Sequence, residues 1–125
     1  MGNNSIKTFK DIVAWNKAHR LVLMVYEITE NYPKCEEYCL KPHTRKTAIS
    51  IPSNIAEGFK RKSKADSIRF YNIADGSLEE LKYQLLLGKD LDYINNNKHN
   101  NVMTLADEVG RTLSGWMKSQ KLFKD

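Results

Sequence analysis

Metal binding is the first chemistry that the residue types suggest. Cys35, Cys39 and His43 follow one another at intervals of four, so a continuous helix would place two thiols and an imidazole on one face. Structural zinc sites use four ligands and favour closer cysteine pairs such as C-x2-C, and this segment offers neither. Pro33 and Pro42 also interrupt it. We therefore expect no metal, no cofactor, and two reduced cysteines rather than a disulfide.

Histidine catalysis is the second chemistry to consider. His19 and His99 have no serine, cysteine or carboxylate partner at the spacing of a known motif. The chain also contains no nucleophile elbow, no P-loop and no dinucleotide-binding glycine pattern. We expect a protein that is not an enzyme. An enzyme is still an open alternative, because catalytic groups assemble in space rather than in sequence.

Anion binding is the third chemistry, and it has the clearest signal. The 125 residues include 20 Lys and Arg against 15 Asp and Glu, giving a net charge of +5. Between Lys41 and Arg69 lie eight basic and two acidic residues, so this segment carries the whole excess. Such a cluster can neutralise phosphates. The candidate nucleic-acid-binding residues are Arg45, Lys46, Lys60, Arg61, Lys62, Lys64 and Arg69.

A solvated basic turn would show the same charge pattern, so that interpretation stays open beside nucleic-acid binding. Phe59, Phe70 and Tyr71 lie close to the basic residues and could stack on bases. Their positions in the apolar stripe favour packing in the core instead.

Helices must position all of these residues, because apolar side chains recur three and four apart and no two-residue alternation persists. The spacing predicts a first helix over about residues 10–31, ended by Pro33, and a second over about 36–59. Pro52 predicts a kink inside the second helix, or a break at which Ser53 and Asn54 cap the chain again.

The second half of the chain predicts two more helices. Ser63 followed by Asp66 is typical of an N-cap, which starts a third helix over about residues 64–95. Asn95 to Asn97 would form the turn before a fourth helix over about 101–122. Short connections join neighbouring helices antiparallel, so the prediction is one all-α domain over 1–125, an up-down-up-down four-helix bundle.

Polar and small residues inside the apolar faces could form hydrogen bonds between helices or between subunits, and we favour a self-association surface. They occur at Ser50 to Asn54 and at Asp75 to Ser77, and Gly76 and Gly88 would allow helices to approach closely. No stretch approaches the roughly 20 apolar residues that span a bilayer, and the first residues lack an apolar signal region. We expect a cytoplasmic protein with no membrane partner.

Three segments resemble a known bacterial family. The run RKTAISIPSNIAEG from Arg45 to Gly58 is similar to the signature of the four-helix-bundle proteins encoded in 23S rRNA intervening sequences, the S23 family. FKDIVAWNKA from Phe9 and YNIADGSLEELKYQL from Tyr71 extend the resemblance over almost the whole chain. The chain departs from the usual pattern at Cys39, His43 and Thr44, which makes the start of the second helix the least predictable region.

DEVGRTLSGWM, from Asp107 to Met117, also resembles the accessory variability determinant proteins of diversity-generating retroelements. That resemblance implies a basic homopentamer that works with a reverse transcriptase and its RNA. The leading hypothesis is therefore a non-enzymatic, oligomeric protein that binds nucleic acid, preferably RNA, through the basic residues. The alternative is a protein-interaction scaffold for an acidic partner such as a reverse transcriptase or another polymerase.

Overall fold

The computed structural model describes residues 6–123, which form an all-α protein. Four long helices make up most of this range, and no strand occurs within it. Short 3-10 turns precede the first two helices, at Phe9–Asp11 and Lys34–Glu36. The helices are α1 (Val13–Thr29), α2 (Leu40–Lys60), α3 (Lys64–Asp90) and α4 (Asn96–Phe123).

Helix α1 begins three residues later than the apolar spacing predicts. Thr8 and Asp11 form a capping box around the first 3-10 turn: the Thr8 hydroxyl accepts from the Lys10 amide, and the Asp11 carboxylate accepts from the Thr8 amide at 3.0 Å. Ile12 then takes an extended conformation (φ −81°, ψ 123°). This extended residue separates the 3-10 turn from α1.

Helix α2 begins at Leu40, four residues after the predicted start. The Glu36 carboxylate accepts a hydrogen bond from the Leu40 amide at 3.1 Å, and Pro42 lies in the first turn, where a missing N–H costs little. The helix continues through Pro52 without a break. Asn54 does not start a new helix, because it lies inside the continuous α2. Its side-chain Nδ2 donates to the Ser50 carbonyl oxygen at 2.8 Å.

The connection between α3 and α4 comes earlier than predicted, at residues 91–95. Asp92 has a left-handed backbone (φ 66°), and the Tyr93 amide donates to the Gly88 carbonyl at 2.8 Å, which closes α3. The Asn95 side chain accepts from the Lys98 amide at 2.8 Å and so caps α4. At the other end of α3, Ser63 is the N-cap as predicted, accepting from the Asp66 amide.

The four helices bury one apolar core between them. Each contributes side chains that are fully inaccessible to solvent, on stripes spaced three and four apart. Examples from α1 to α4 in order are Leu21, Val25, Ile51, Ile55, Leu81, Leu85, Val109 and Leu113. Within residues 6–123, no helix is both long enough and apolar enough to cross a membrane.

Each helix packs mainly against two others. Helix α2 contacts α3 most extensively and also contacts α1, while α4 contacts α1 and α3. Ion pairs bridge two of these contacts: Lys17 with Glu108 between α1 and α4, and Lys82 with Asp107 between α3 and α4, each at 2.9 Å. Consequently α1 and α3 occupy diagonal positions, and their outer faces point in different directions.

Candidate nucleic-acid interface

The structure divides the seven predicted basic residues into two groups. Lys60, Arg61, Lys62 and Lys64 surround the connection between α2 and α3, and Arg69 follows in the second turn of α3. Arg45 and Lys46 lie near the start of α2. Fifteen residues at 1.5 Å each put Arg45 about 22 Å from Lys60 along the helix axis. The basic residues that are close together in the sequence therefore lie at two separate places on the molecule.

Arg45 ties α2 to the end of α1. Its Nε donates to the Thr29 hydroxyl at 2.8 Å, and its Nη2 donates to the Tyr26 carbonyl at 3.2 Å and to the Glu30 carboxylate at 3.1 Å. The guanidinium also lies 4.2 Å from the centre of the Tyr26 ring. These contacts occupy Nε and Nη2 of the guanidinium, whereas the neighbouring Lys46 is exposed.

Arg61 and Arg69 are both held against Phe70. Their guanidinium carbons lie 4.8 and 4.5 Å from the centre of this half-buried ring. Each arginine also pairs with a carboxylate one turn earlier, Arg61 with Glu57 and Arg69 with Asp66, the latter at 3.1 Å. The three side chains make a cationic platform at the start of α3, in which the Phe70 ring lies against two guanidinium groups rather than being free to stack on a base.

The last turns of α4 meet this connection. Lys64 donates from Nζ to the Lys121 carbonyl oxygen at 3.4 Å, more than 50 residues away in sequence. Lys118 lies one turn before Lys121 on the same helix and is exposed. Cations from α4 therefore join the basic connection. Sequence reasoning missed them because no local pattern links residue 64 with residue 121.

We call this surface the basic end. It comprises Lys60, Arg61, Lys62, Lys64, Arg69, Lys118 and Lys121. Among the residues that the structure describes, it also holds the carboxylates of Glu57 and Asp66, so its formal excess is five positive charges. Lys60 and Lys62 are exposed, and their ammonium groups reach solvent at the tip of the connection. A surface of this kind attracts phosphate-rich ligands in a salt-dependent manner.

A sequence profile of the 23S rRNA-intervening sequence protein family matches residues 10–115. The chain belongs to this family. A crystal structure of a protein of unknown function from the S23 ribosomal protein family of Bacteroides thetaiotaomicron superposes with a TM-score of 0.76 at 24% identity. The superposition covers 85% of this chain and 99% of the other, and it establishes a shared fold. No protein with a curated description matches the chain.

The segment with the family signature forms a polar seam between α2 and α3. The hydroxyl oxygens of Ser50 and Ser77 are 2.7 Å apart, and Asn54 donates to the Ser50 hydroxyl at 3.1 Å. Further along, Gln84 donates to the Thr47 hydroxyl at 3.1 Å. The seam explains why polar residues interrupt the apolar stripe of this family member: several of them bond to one another between the helices.

The three departures from the family pattern occur where α2 begins. Cys39 is the N-cap with an unusual backbone (φ −123°, ψ −97°), while Cys35 lies in the preceding 3-10 turn. The two cysteines and His43 therefore do not share one continuous helix. His43 instead lies 3.5 Å from the Glu80 carboxylate, and Thr44 is buried. Among residues 6–123, no group of three metal-ligating side chains is placed to hold an ion.

The other two histidines of this family member occupy packing positions. His19 stacks on Trp15 with ring centres 5.2 Å apart and planes 8° from parallel. His99 is 8% exposed at the start of α4. Burial lowers the pKa of His99 below its usual range. The charge of the nearby Lys89 lowers this pKa further, and the charge of Asp90 opposes the shift. His99 is therefore neutral at pH 7.

Proposed function

We propose that this protein is a non-enzymatic, oligomeric nucleic-acid-binding protein with a preference for RNA. One observation carries the proposal: the basic end brings seven cationic side chains together against two carboxylates. Lys60, Lys62 and Lys64 make the first phosphate contacts, because they lie at the tip of the connection. Arg61 and Arg69 add charge from the platform on Phe70. The RNA preference rests on the family's association with 23S rRNA by name.

Arg45 and Lys46 form a second, weaker contact area in this proposal. Lys46 is exposed and reaches a phosphate directly. Arg45 contributes mainly through its positive charge, since its donors are already bonded to Thr29, Tyr26 and Glu30. A ligand that contacts both areas of one chain has to span about 22 Å.

The proposed assembly is a homopentamer of antiparallel, up-down-up-down four-helix bundles. Contacts between α2 and α3 support the antiparallel arrangement, because Ser50 meets Ser77 while Gly58, later in α2, meets Tyr71, earlier in α3. The pentamer follows from the resemblance to accessory variability determinant proteins. Gly76 supports a close contact between subunits. Outside its own helix, an added Cβ at this position would meet no described atom within 4 Å, so the space is open to another chain.

A five-fold ring needs two different surfaces, one on each side of every subunit. The outer faces of α1 and α3 provide such a pair. Leu23 of α1 is 57% exposed, and Ile73 and Tyr83 of α3 are 42% and 62% exposed. Because α1 and α3 are diagonal, these apolar residues point in different directions and suit a head-to-tail contact. A ring would repeat the basic end five times and multiply weak phosphate contacts into avidity.

The alternative function is a scaffold for an acidic protein partner, such as a reverse transcriptase or another polymerase. One observation favours it over RNA: exposed apolar side chains accompany the charge on α3, including Ile73 and Leu86 at 41–42% exposure. Protein interfaces use apolar anchors of this kind, whereas phosphate contacts do not need them. Both partners would meet the same cations, so the test must separate them.

The test is a binding titration across salt concentration with structured RNA, duplex DNA and polyglutamate. The variant is Lys60→Glu/Lys62→Glu, which spares the Arg61 platform, and the control is Lys34→Glu/Lys98→Glu, which changes the net charge equally elsewhere. We expect log affinity for RNA to fall steeply with log salt, by roughly 0.7 to 0.9 per phosphate contact, with a smaller slope in the variant only. No binding of nucleic acid at low salt would refute the proposal. Equal binding of polyglutamate and RNA would favour the scaffold.

A further inference from the structure

A second basic feature lies on the face shared by α3 and α4, beside the basic end. It is a shallow groove of about 560 Å³. Three cationic side chains line it, with one carboxylate and three small residues between them. The lining residues are Lys82, Asp107, Gly110, Arg111, Ser114, Gly115 and Lys118.

The charge of the groove is available to a ligand. Asp107 is already paired with Lys82 at 2.9 Å, and Glu108, one turn before Arg111, is bonded to Lys17. Within residues 6–121, the side chains of Arg111 and Lys118 form no ion pair or hydrogen bond with another group. Both are exposed. A pair of unbonded cations in a concave surface is a strong anion attractant.

The spacing along α4 suits a phosphate backbone. Arg111, Ser114 and Lys118 are three and four residues apart, so two cations with a hydroxyl between them form one stripe. Seven residues of helix separate the cations by about 10 Å. Arg111 and Lys118 are therefore far enough apart to contact different phosphates of one strand.

The floor of the groove lets a ligand approach the helix closely. In the part of the chain that the structure describes, no atom outside the helix would lie within 4 Å of a Cβ added at Gly115. A Cβ added at Gly110 would meet the Leu78 side chain at 3.4 Å. These glycines are not needed for packing between α3 and α4. Their effect is to keep the space between Lys82, Arg111 and Lys118 open.

The groove also joins the basic end. Lys118 belongs to both surfaces, and Lys64 holds the α4 backbone at Lys121, one turn further on. We propose that the α3–α4 groove is a second nucleic-acid backbone site, and that a strand bound at the basic end continues along it past Lys118 to Arg111. This inference rests on the proposed function and adds the path of the ligand.

The test repeats the salt titration with structured RNA, using the full-length chain. Arg111→Gln removes the groove cation that lies outside the basic end, and Lys98→Gln is the matched control, about 20 Å along α4 from Arg111. We expect the salt slope to fall by roughly 0.7 to 0.9, the value for one phosphate contact, in the groove variant alone. Far-ultraviolet circular dichroism checks that all variants keep their helices.

The outcomes separate the two proposals. If the wild type binds RNA and the groove variant keeps the full slope, the groove is not a site, while binding at the basic end stands. If groove and control variants lose slope equally, the effect is one of net charge and the groove inference fails. If the wild type binds no nucleic acid, the proposed function fails first.

Discussion

Gly58 of α2 lies directly against the aromatic ring of Tyr71 in α3. A Cβ at position 58 would be 2.5 Å from Cε1 of Tyr71 and 3.1 Å from the Ser67 carbonyl oxygen. Tyr71 is fully buried, and the Ser67 carbonyl belongs to the backbone of α3. Neither can move far, so position 58 admits no side chain without moving the two helices apart.

The first prediction concerns this contact. Gly58→Ala should destabilise the protein by about 1–3 kcal/mol, because the added methyl group overpacks the contact between α2 and α3. Gly115→Ala in α4 is the control: outside its own helix, an added Cβ would meet no atom within 4 Å in the part of the chain that the structure describes. Because alanine favours a helix over glycine by roughly 0.8–1 kcal/mol, that variant should be slightly more stable than the wild type. Urea unfolding followed by circular dichroism measures both, and equal changes in the two variants would contradict the packing argument.

The second prediction separates Arg45 from its neighbour Lys46. Arg45→Met should lower the free energy of unfolding by about 1–2 kcal/mol, since the Thr29 hydroxyl and the Tyr26 carbonyl both lose a donor. Lys46→Met removes the same charge from an exposed position and should change stability by less than about 0.5 kcal/mol.

Arg45→Lys adds a check on the cause. Lysine keeps the charge but cannot bond to Thr29, Tyr26 and Glu30 together, so most of the loss should persist. Full rescue by lysine would mean that the charge alone matters.

The third prediction is a pH dependence that comes from His99. Burial lowers the pKa of His99 in the folded protein below 6.5, the value expected for the unfolded chain. The unfolded state therefore binds a proton first as the pH falls. Stability should decrease as the pH drops below about 6.5 and level off below the folded-state pKa. His99→Gln should flatten this part of the profile.

Thermal unfolding midpoints measured from pH 7.5 to pH 5 test the histidine prediction. Carboxylates such as Glu108, whose pKa Lys17 lowers, contribute stability that is lost at more acidic pH. Their effect falls outside the window in which His99 acts. A wild-type profile that is flat near pH 6, or one identical in the His99→Gln variant, would show that this histidine is not the titrating group.

The fourth prediction concerns assembly. Sedimentation equilibrium should give five times the 14.5 kDa chain mass for the wild type. Ile73→Asp should reduce the mass to that of one chain, because it places a carboxylate on the proposed apolar contact face of α3. Tyr38→Asp, at a 92% exposed position in the connection before α2, should keep the wild-type mass. A monomeric wild type would overturn the pentamer, and an unchanged mass for Ile73→Asp would move the interface elsewhere.

The sequence predicted the secondary structure well where the signal is local. Ser63 marks the start of α3 because a serine hydroxyl bonds to an amide three residues on, a relation that the chain displays directly. Boundaries were less predictable where a cap involves a residue outside the helix. Glu36 delays α2 to Leu40, and Asp92 ends α3 early by adopting a left-handed backbone.

The candidate site shows the same division. Sequence alone indicated the charge of Lys60, Lys62 and Lys64, since these residues are neighbours in the chain. It gave equal weight to Arg45, whose donors bond to α1. It also missed the cations of α4, because contacts such as Lys64 with Lys121 exist only once the chain has folded.

The sequence by itself determined that the protein is helical, where its four apolar stripes lie, and which family it resembles. These properties depend on residues three or four apart, which share a helix face whatever the rest of the chain does. The tertiary structure alone decided which cations are available, which glycines are indispensable and where a groove opens. Those properties depend on side chains brought together by packing across tens of residues, a relation that no local pattern records.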